Sequence, residues 1–242
     1  MVVCIRVSLR LPSCLRDAGT GSWHAVDFRY CRAQRRHVPT FAGAPMDKAA
    51  WERLLSVWTA EAVKRSGIKP TAGPLSGLGF PGAVEAELLA AEARLSCRLP
   101  PSYREFLKCT NGLRQPLAFV PARGGDFWSA QEIDWFRVRN QEWIDAWTGD
   151  TFVIPDELYF LYGPKQDPIN LRREYLEHTL EISTRGDSSV YLLNPKIVGA
   201  DDEWEAWFLA NWNAGADRYR SFAEMMLAHY EGFHNQGLNG FY

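Results

Sequence analysis

A chain of 242 residues, 46% hydrophobic and 23% charged, has the material for one globular domain with a real core and an appendage. No apolar run approaches the roughly 18 residues a spanning helix needs, so a soluble, cytoplasmic protein without membrane contact is expected. Residues 1–45 carry seven Arg and two Asp, a net of +5; the remaining 20 basic and 27 acidic residues leave 46–242 at −7, a balance that repels phosphate and argues against nucleic acid.

The leader, 1–45, has no Lys or Glu, the composition of a transit peptide, but Arg6 and Arg10 interrupt any apolar core of a secretory signal. We read 1–45 as disordered or not native, with a targeting signal as the alternative and Met46 as a second possible start. From Asp47, a capping residue, the positions Trp51, Leu54, Leu55, Trp58 and Ala62 follow helical spacing, and Gly67 is the expected stop. KPTAGPLSGLGFPG (69–82) reads as a linker. Its Gly77-x-Gly79-x-x-Gly82 has the spacing of a dinucleotide fingerprint, but no strand precedes it and Pro81 lacks a donor, so it is a coincidence. These signals divide the chain into the leader, an N-terminal helix and linker at 46–78, and a main domain at 79–235.

Pro81 is expected in the first turn of a helix through Leu95, with Val84, Leu88, Ala91 and Leu95 as its apolar stripe. RLPPSYREFLKCTNG (98–112) follows. Leu99 is pushed out of the helical region by Pro100, and Pro101 starts a new helix. Tyr103, Phe106 and Leu107 bury one face of it, and Asn111-Gly112 provides a left-handed stop. Ser129 and Glu132 form a capping box ahead of a longer helix carrying Ile133, Phe136, Asn140, Trp143, Ile144 and Trp147, and Asn140 on that stripe requires a buried partner.

The period then becomes two. Leu180 and Ile182 alternate with polar residues, Arg185-Gly186-Asp187 turns the chain into Val190–Leu193, and Asn194-Pro195 ends that strand. EWEAWFLANW (203–212) alternates again, with Trp204, Ala206, Phe208, Ala210 and Trp212 on one face. After Gly215, Ser221 opens a closing helix with Met225, Met226, His229 and Tyr230. Helices followed by sequential strands argue for an α+β fold with helices packed around a mostly antiparallel sheet.

Chemistry is sparse. Cys4, Cys14, Cys31, Cys97 and Cys109 form no CxxC and suit a reducing compartment, and the five histidines include no HExxH. Glu85, Glu87 and Glu92 read as a solvated helix face. We therefore assign no catalytic, metal or cofactor residue and expect no enzyme, an undetected one standing third among the functional readings. Nine of ten Trp follow Met46, and although most fill a core, an acidic Trp-rich domain fits a protein-binding module. DDEWEAW (201–207) places Asp201, Asp202 and Glu203 at the mouth of a strand, with Glu205 and Trp207 on one face. It reads either as a solvated turn feeding a strand or as a negative rim beside a Trp anchor; the region around Trp135 is the next candidate.

PGAVEAELLAAEARLSCRLPPSYREFLKCTNG (81–112) resembles the opening of the SUKH superfamily, which includes fungal cell-wall regulators of the Smi/Knr type and many bacterial immunity proteins. Leu99, Pro100, Tyr103, Phe106, Leu107, Asn111 and Gly112 match its pattern in order. LEIS (180–183), YLLNP (191–195), EWEAWFLANW and RYRSFAEMM (218–226) resemble the sheet and closing helix of the bacterial members, so the likeness spans about 79–232. Residues 113–178 match only loosely. The resemblance implies an α+β fold and brings no catalytic residues. It implies a protein partner, such as a basic nuclease toxin neutralised by occlusion, or else a regulatory or scaffold role with a non-toxin partner.

Overall fold

In a computed structural model the described residues are 46–66, 69–114, 125–148, 153–199, 201–213 and 215–236. The leader and Gly67 lie outside them. Helix α1 (Lys48–Ser66) starts where Asp47 Oδ1 accepts the Ala50 N–H at 2.8 Å, as its side chain allows. Trp51, Leu54, Leu55, Trp58 and Ala62 are all buried, so this helix, outside the family pattern, belongs to the main core. The 69–82 stretch is not a plain linker: Pro74–Gly77 forms a tight turn with Leu75 and Ser76 in the left-handed region (φ 52° and 58°), and Gly79 bridges to Leu113.

Helix α2 (Glu85–Leu95) begins four residues after Pro81, which corrects the expected start. Glu87 reaches back to the Val84 N–H at 2.8 Å and fixes the first turn there, while Pro81–Ala83 stay outside the helix. Leu88, Ala91 and Leu95 are buried; Val84 is 61% exposed and drops out of the stripe. Ser96 ends the helix in the left-handed region, and Pro100 and Pro101 lead into α3 (Pro101–Cys109). Leu99, Tyr103, Phe106 and Leu107 are buried as the spacing requires. The glutamate face is not merely solvated. Glu92 Oε1 accepts the Leu99 N–H at 3.0 Å and Arg104 Nε at 3.1 Å, and so clamps the elbow between the two helices.

The long helix expected after Ser129 is broken. The Ser129–Glu132 box forms only a turn, with Ser129 Oγ donating to Glu132 at 2.6 Å. The chain then enters strand β1 (Asp134–Trp135), a single turn α4 (Phe136–Arg139) and helix α5 (Gln141–Thr148). Two non-local bonds cause the breaks. The Phe136 N–H donates to Thr179 O at 2.8 Å, and buried Asn140 donates from Nδ2 to Phe136 O while its Oδ1 takes Arg185 Nε at 2.8 Å. A short helix α6 (Asp156–Tyr159) and a 3₁₀ segment (Arg173–His178) precede the remaining strands.

Strands β2 (Leu180–Glu181), β3 (Ser189–Val198), β4 (Trp204–Ala210) and β5 (Gly215–Tyr219) complete an antiparallel sheet in the order β1-β2-β3-β4-β5. The architecture is α+β. Two details differ from expectation. Asn194-Pro195 does not end β3; the register jumps from Asn194↔Glu205 to Val198↔Trp204, so Pro195 sits in an irregularity where its missing donor costs nothing. β4 does not alternate inside and outside, because all seven residues are buried.

Both faces are covered. One carries Tyr191, Phe208 and Leu193 and packs against α1, α3 and α7 (Phe222–Gln236), with Phe222 4.9 Å from Tyr103 and 5.0 Å from Phe106 between ring centroids. The other carries Val190, Leu192, Trp207, Leu209 and Ala216 against Phe136, Ile144, Leu171 and Leu176. Among the described residues no helix is long and apolar enough to cross a membrane.

His229 on α7 lies among the rings of Tyr191, Phe208 and Tyr219, and its Nε2 has no partner. Burial pushes its pKa down to about 4 from 6.5. The unfolded state therefore takes up a proton that the fold refuses, and stability falls as pH drops from 6.5 toward 4, by about 3 kcal/mol in all. Burial raises Glu181, Glu203 and Asp217, which act in the opposite sense. Comparison with His229→Phe separates the two: chemical denaturation from pH 7 to 4 should show the wild type losing more stability than the variant. Equal losses would show that His229 is not held neutral.

Candidate interaction surface

The segments around Gly79, Leu113, Phe127 and Ser183 meet side by side through single antiparallel bridges, Gly79↔Leu113, Leu113↔Phe127 and Phe127↔Ser183. Leu113, Phe127 and Ser183 are buried, whereas Phe80, Arg114, Asp126, Trp128 and Thr184 beside them line an open cleft of about 590 Å³. Asn111-Gly112 lies in its floor. Thr110 ties the floor together, accepting the Phe80 N–H at 2.9 Å and donating to Gly112 O at 2.6 Å. Gly112 has φ +102°, and a Cβ there would sit 3.2 Å from Phe127 O, so the floor needs glycine for both conformation and clearance.

The walls are aromatic. Phe80 is 37% exposed with the Arg114 guanidinium 4.9 Å from its centroid; Trp128 is half-buried with Arg139 at 4.2 Å. Arg139 also donates to Glu132 O at 2.7 Å, which fixes it over the ring. Glu132 is held below the usual carboxylate range, first by the Ser129 hydroxyl and then by its backbone N–H. Ionised groups, flat rings and a bare glycine floor thus share one concavity. Asn111 uses its side chain to hold the rim, accepting Ala130 N–H at 2.7 Å and donating to Gln131 at 3.0 Å.

The family pattern of helix, proline elbow, Asn-Gly, strands and closing helix is therefore present in three dimensions, and a model of the SMI1 / KNR4 family (SUKH-1) matches residues 82–228. The chain belongs to this family. No curated protein matches it. Within the SUKH domain, the seven motif residues have structural positions: Leu99, Tyr103, Phe106 and Leu107 in the core, Pro100 at the elbow, Asn111 and Gly112 at the cleft.

The residues expected to bind a partner are scattered. Trp207 and Glu205 are fully buried, which removes them from any docking surface; the alternation of β4 puts them on one face but does not show that Tyr159 and Tyr162 cap Glu205 or that Phe136, Ile144, Leu171 and Leu176 pack against Trp207. Glu203 is half-buried and accepts the Ser102 N–H at 2.7 Å and its hydroxyl at 2.8 Å, a carboxylate at the N-terminus of α3. Asp201 and Asp202 are exposed in the β3–β4 turn, where Asp202 takes φ 57°. Trp135 is half-buried on edge strand β1 with Arg137 5.5 Å above its ring.

What surrounds Glu205 is a closed polar centre. Glu205 accepts Tyr159 at 2.6 Å, Tyr162 at 2.9 Å, Asn194 Nδ2 at 3.0 Å and Trp207 Nε1 at 2.7 Å, and faces Arg218 at 3.5 Å. Burial first, and the carboxylate second, push both phenols up and keep them donors. Every acceptor position of Glu205 is occupied from within the fold, so this centre is built to hold structure. Cys97 and Cys109 are free thiols whose burial raises them, Cys109 to about 11, which leaves little thiolate for nucleophilic work. Among the described residues no three His, Cys, Asp or Glu side chains converge as metal ligands.

Proposed function

We propose that this SUKH domain is a non-catalytic protein-binding module, most concretely an immunity protein that neutralises a polymorphic toxin by occlusion. The observation that carries the reading is the cleft: two partly open aromatic rings, Phe80 and Trp128, each with a guanidinium over it, line one concavity together with Asn111-Gly112. Aromatic and arginine side chains at a concave centre are the usual energetic anchors of protein interfaces. The net charge of −7 over residues 46–242 favours a basic partner such as a nuclease toxin, steering its approach from a distance. The same cleft serves a regulatory or scaffold role if the partner is not a toxin.

Calorimetric titration of the chain with a basic nuclease toxin, taken from a gene neighbouring its own where one is encoded there, tests the reading. Trp128→Ala and Phe80→Ala should each weaken binding by roughly 30-fold, a hot-spot effect, with little change in Tm because both rings are partly exposed. Asp201→Lys with Asp202→Lys should slow association and flatten its salt dependence. Unchanged affinity in both aromatic variants would move the interface elsewhere; tight cleft-dependent binding to a partner without toxicity would select the regulatory role.

A further inference from the structure

The outer edge of β5 is closed in a way that propagates no further pairing. The N–H groups of Ala216 and Arg218 point away from β4 and donate to Pro168 O at 3.2 Å and Gln166 Oε1 at 2.8 Å, both on the segment Gly163–Leu171. Four of that segment's own donors turn back into it. Gln166 N–H goes to Gly163 O at 3.1 Å, Ile169 N–H to Asp167 Oδ1 at 3.2 Å, Asn170 N–H to Asp167 O at 3.0 Å and Leu171 N–H to Ile169 O at 2.8 Å. Pro164 and Pro168 have no N–H at all. The strap meets the strand with acceptors only, so it satisfies the edge without becoming a sixth strand.

Two further features hold it there. A Cβ at Gly215 would lie 1.9 Å from Pro168 O and 2.6 Å from its carbonyl carbon, so the strap's close approach depends on glycine at the first position of β5. The root of the strap is locked into the buried centre: Tyr159 and Tyr162 donate to Glu205, and Arg218 donates to the carbonyls of Tyr159 and Leu161.

We infer that Gly163–Leu171 is an edge guard that keeps the domain monomeric, and that its release turns β5 into a pairing edge for a second copy of this chain. An antiparallel strand edge is self-complementary about a two-fold axis, so two bared β5 strands satisfy each other's N–H groups where the strap did before. This holds whatever occupies the cleft, since the two surfaces share no residue.

Light scattering over a concentration series, with amide hydrogen exchange, tests it on the full chain. Wild type should remain monomeric. Gly215→Ala drives a methyl into Pro168, and Gln166→Ala deletes the acceptor for the Arg218 amide without touching the core. In dilute samples the affected β5 amide should exchange roughly tenfold faster, as loss of one hydrogen bond implies. As concentration rises both variants should dimerise and the Ala216 and Arg218 amides should regain protection. If Gly215→Ala fails to fold, Gln166→Ala decides alone. The inference is overturned if the folded variants stay monomeric, if they associate with β5 amides still unprotected, or if wild type already dimerises through this edge.

Discussion

Glu205→Ala should cost the domain about 3–5 kcal/mol, read as a lower denaturation midpoint, because it strands a buried charge instead of simply deleting a contact. Arg218 is 0% exposed and already has one nitrogen, Nε, without a partner; its counter-charge is the Glu205 carboxylate at 3.5 Å. Removing that carboxylate also leaves the donors of Tyr159, Tyr162, Asn194 and Trp207 facing a void. A buried ion pair of this kind need not be stabilising overall, since desolvating both charges offsets most of their attraction. The informative variant is therefore the double change Glu205→Leu with Arg218→Met, which removes both charges and keeps volume. It should recover the part of the loss that comes from the stranded Arg218 charge, while the donors of Tyr159, Tyr162, Asn194 and Trp207 stay unsatisfied and keep it below wild type. Strict additivity of the two single losses would mean that the groups do not act as a pair.

Local signals were legible and long-range ones were not. The elbow could be read because its determinants are covalent neighbours: two prolines restrict their own and the preceding dihedrals, and i, i+3, i+4 spacing selects one helix face. The Ser129 region misled because its capping box and apolar period are real, yet the Phe136 N–H finds Thr179 O and Asn140 finds Arg185, partners 43 and 45 positions away. β5 was missed because GADRY has a glycine, an aspartate and an arginine where strand formers are expected; it is a strand because Arg218 is drawn to Glu205 and because Gly215 admits the strap. Glu205 and Trp207 share a face of β4 as the alternation requires, but their burial is decided by Tyr159, Tyr162, Leu171 and Leu176, from segments with no period to read, and by Phe136 and Ile144, whose helical period does not say which sheet face they cover. The cleft is assembled from three single bridges running from Gly79 through Leu113 and Phe127 to Ser183, and no local pattern announces such a ladder.

Phe106→Ala should be nearly as severe, at about 3–5 kcal/mol and a fall in Tm of roughly 10 °C. Phe106 is the shared neighbour of four aromatic rings on four separate segments: Trp51 of α1 at 5.5 Å, Tyr103 of α3 at 6.0 Å, Phe127 of the cleft ladder at 5.6 Å and Phe222 of α7 at 5.0 Å. The cost of such a truncation depends on how far the surroundings can close over the cavity. Here they are pinned. Trp51 Nε1 donates to Ser102 O at 2.9 Å, Glu203 holds the Ser102 N–H, and Glu92 holds the Leu99 N–H, so neither α1 nor α3 can slide inward without breaking buried bonds. Leu89→Ala, at a site 54% exposed on α2, is the control and should change stability by less than about 0.5 kcal/mol. The same cavity borders Phe127, whose backbone frames the cleft, so Phe106→Ala should loosen the Leu113 and Phe127 amides to hydrogen exchange before global unfolding. A loss below about 1 kcal/mol, or exchange unchanged at those two amides, would show that the elbow and the cleft floor are not mechanically joined through this ring.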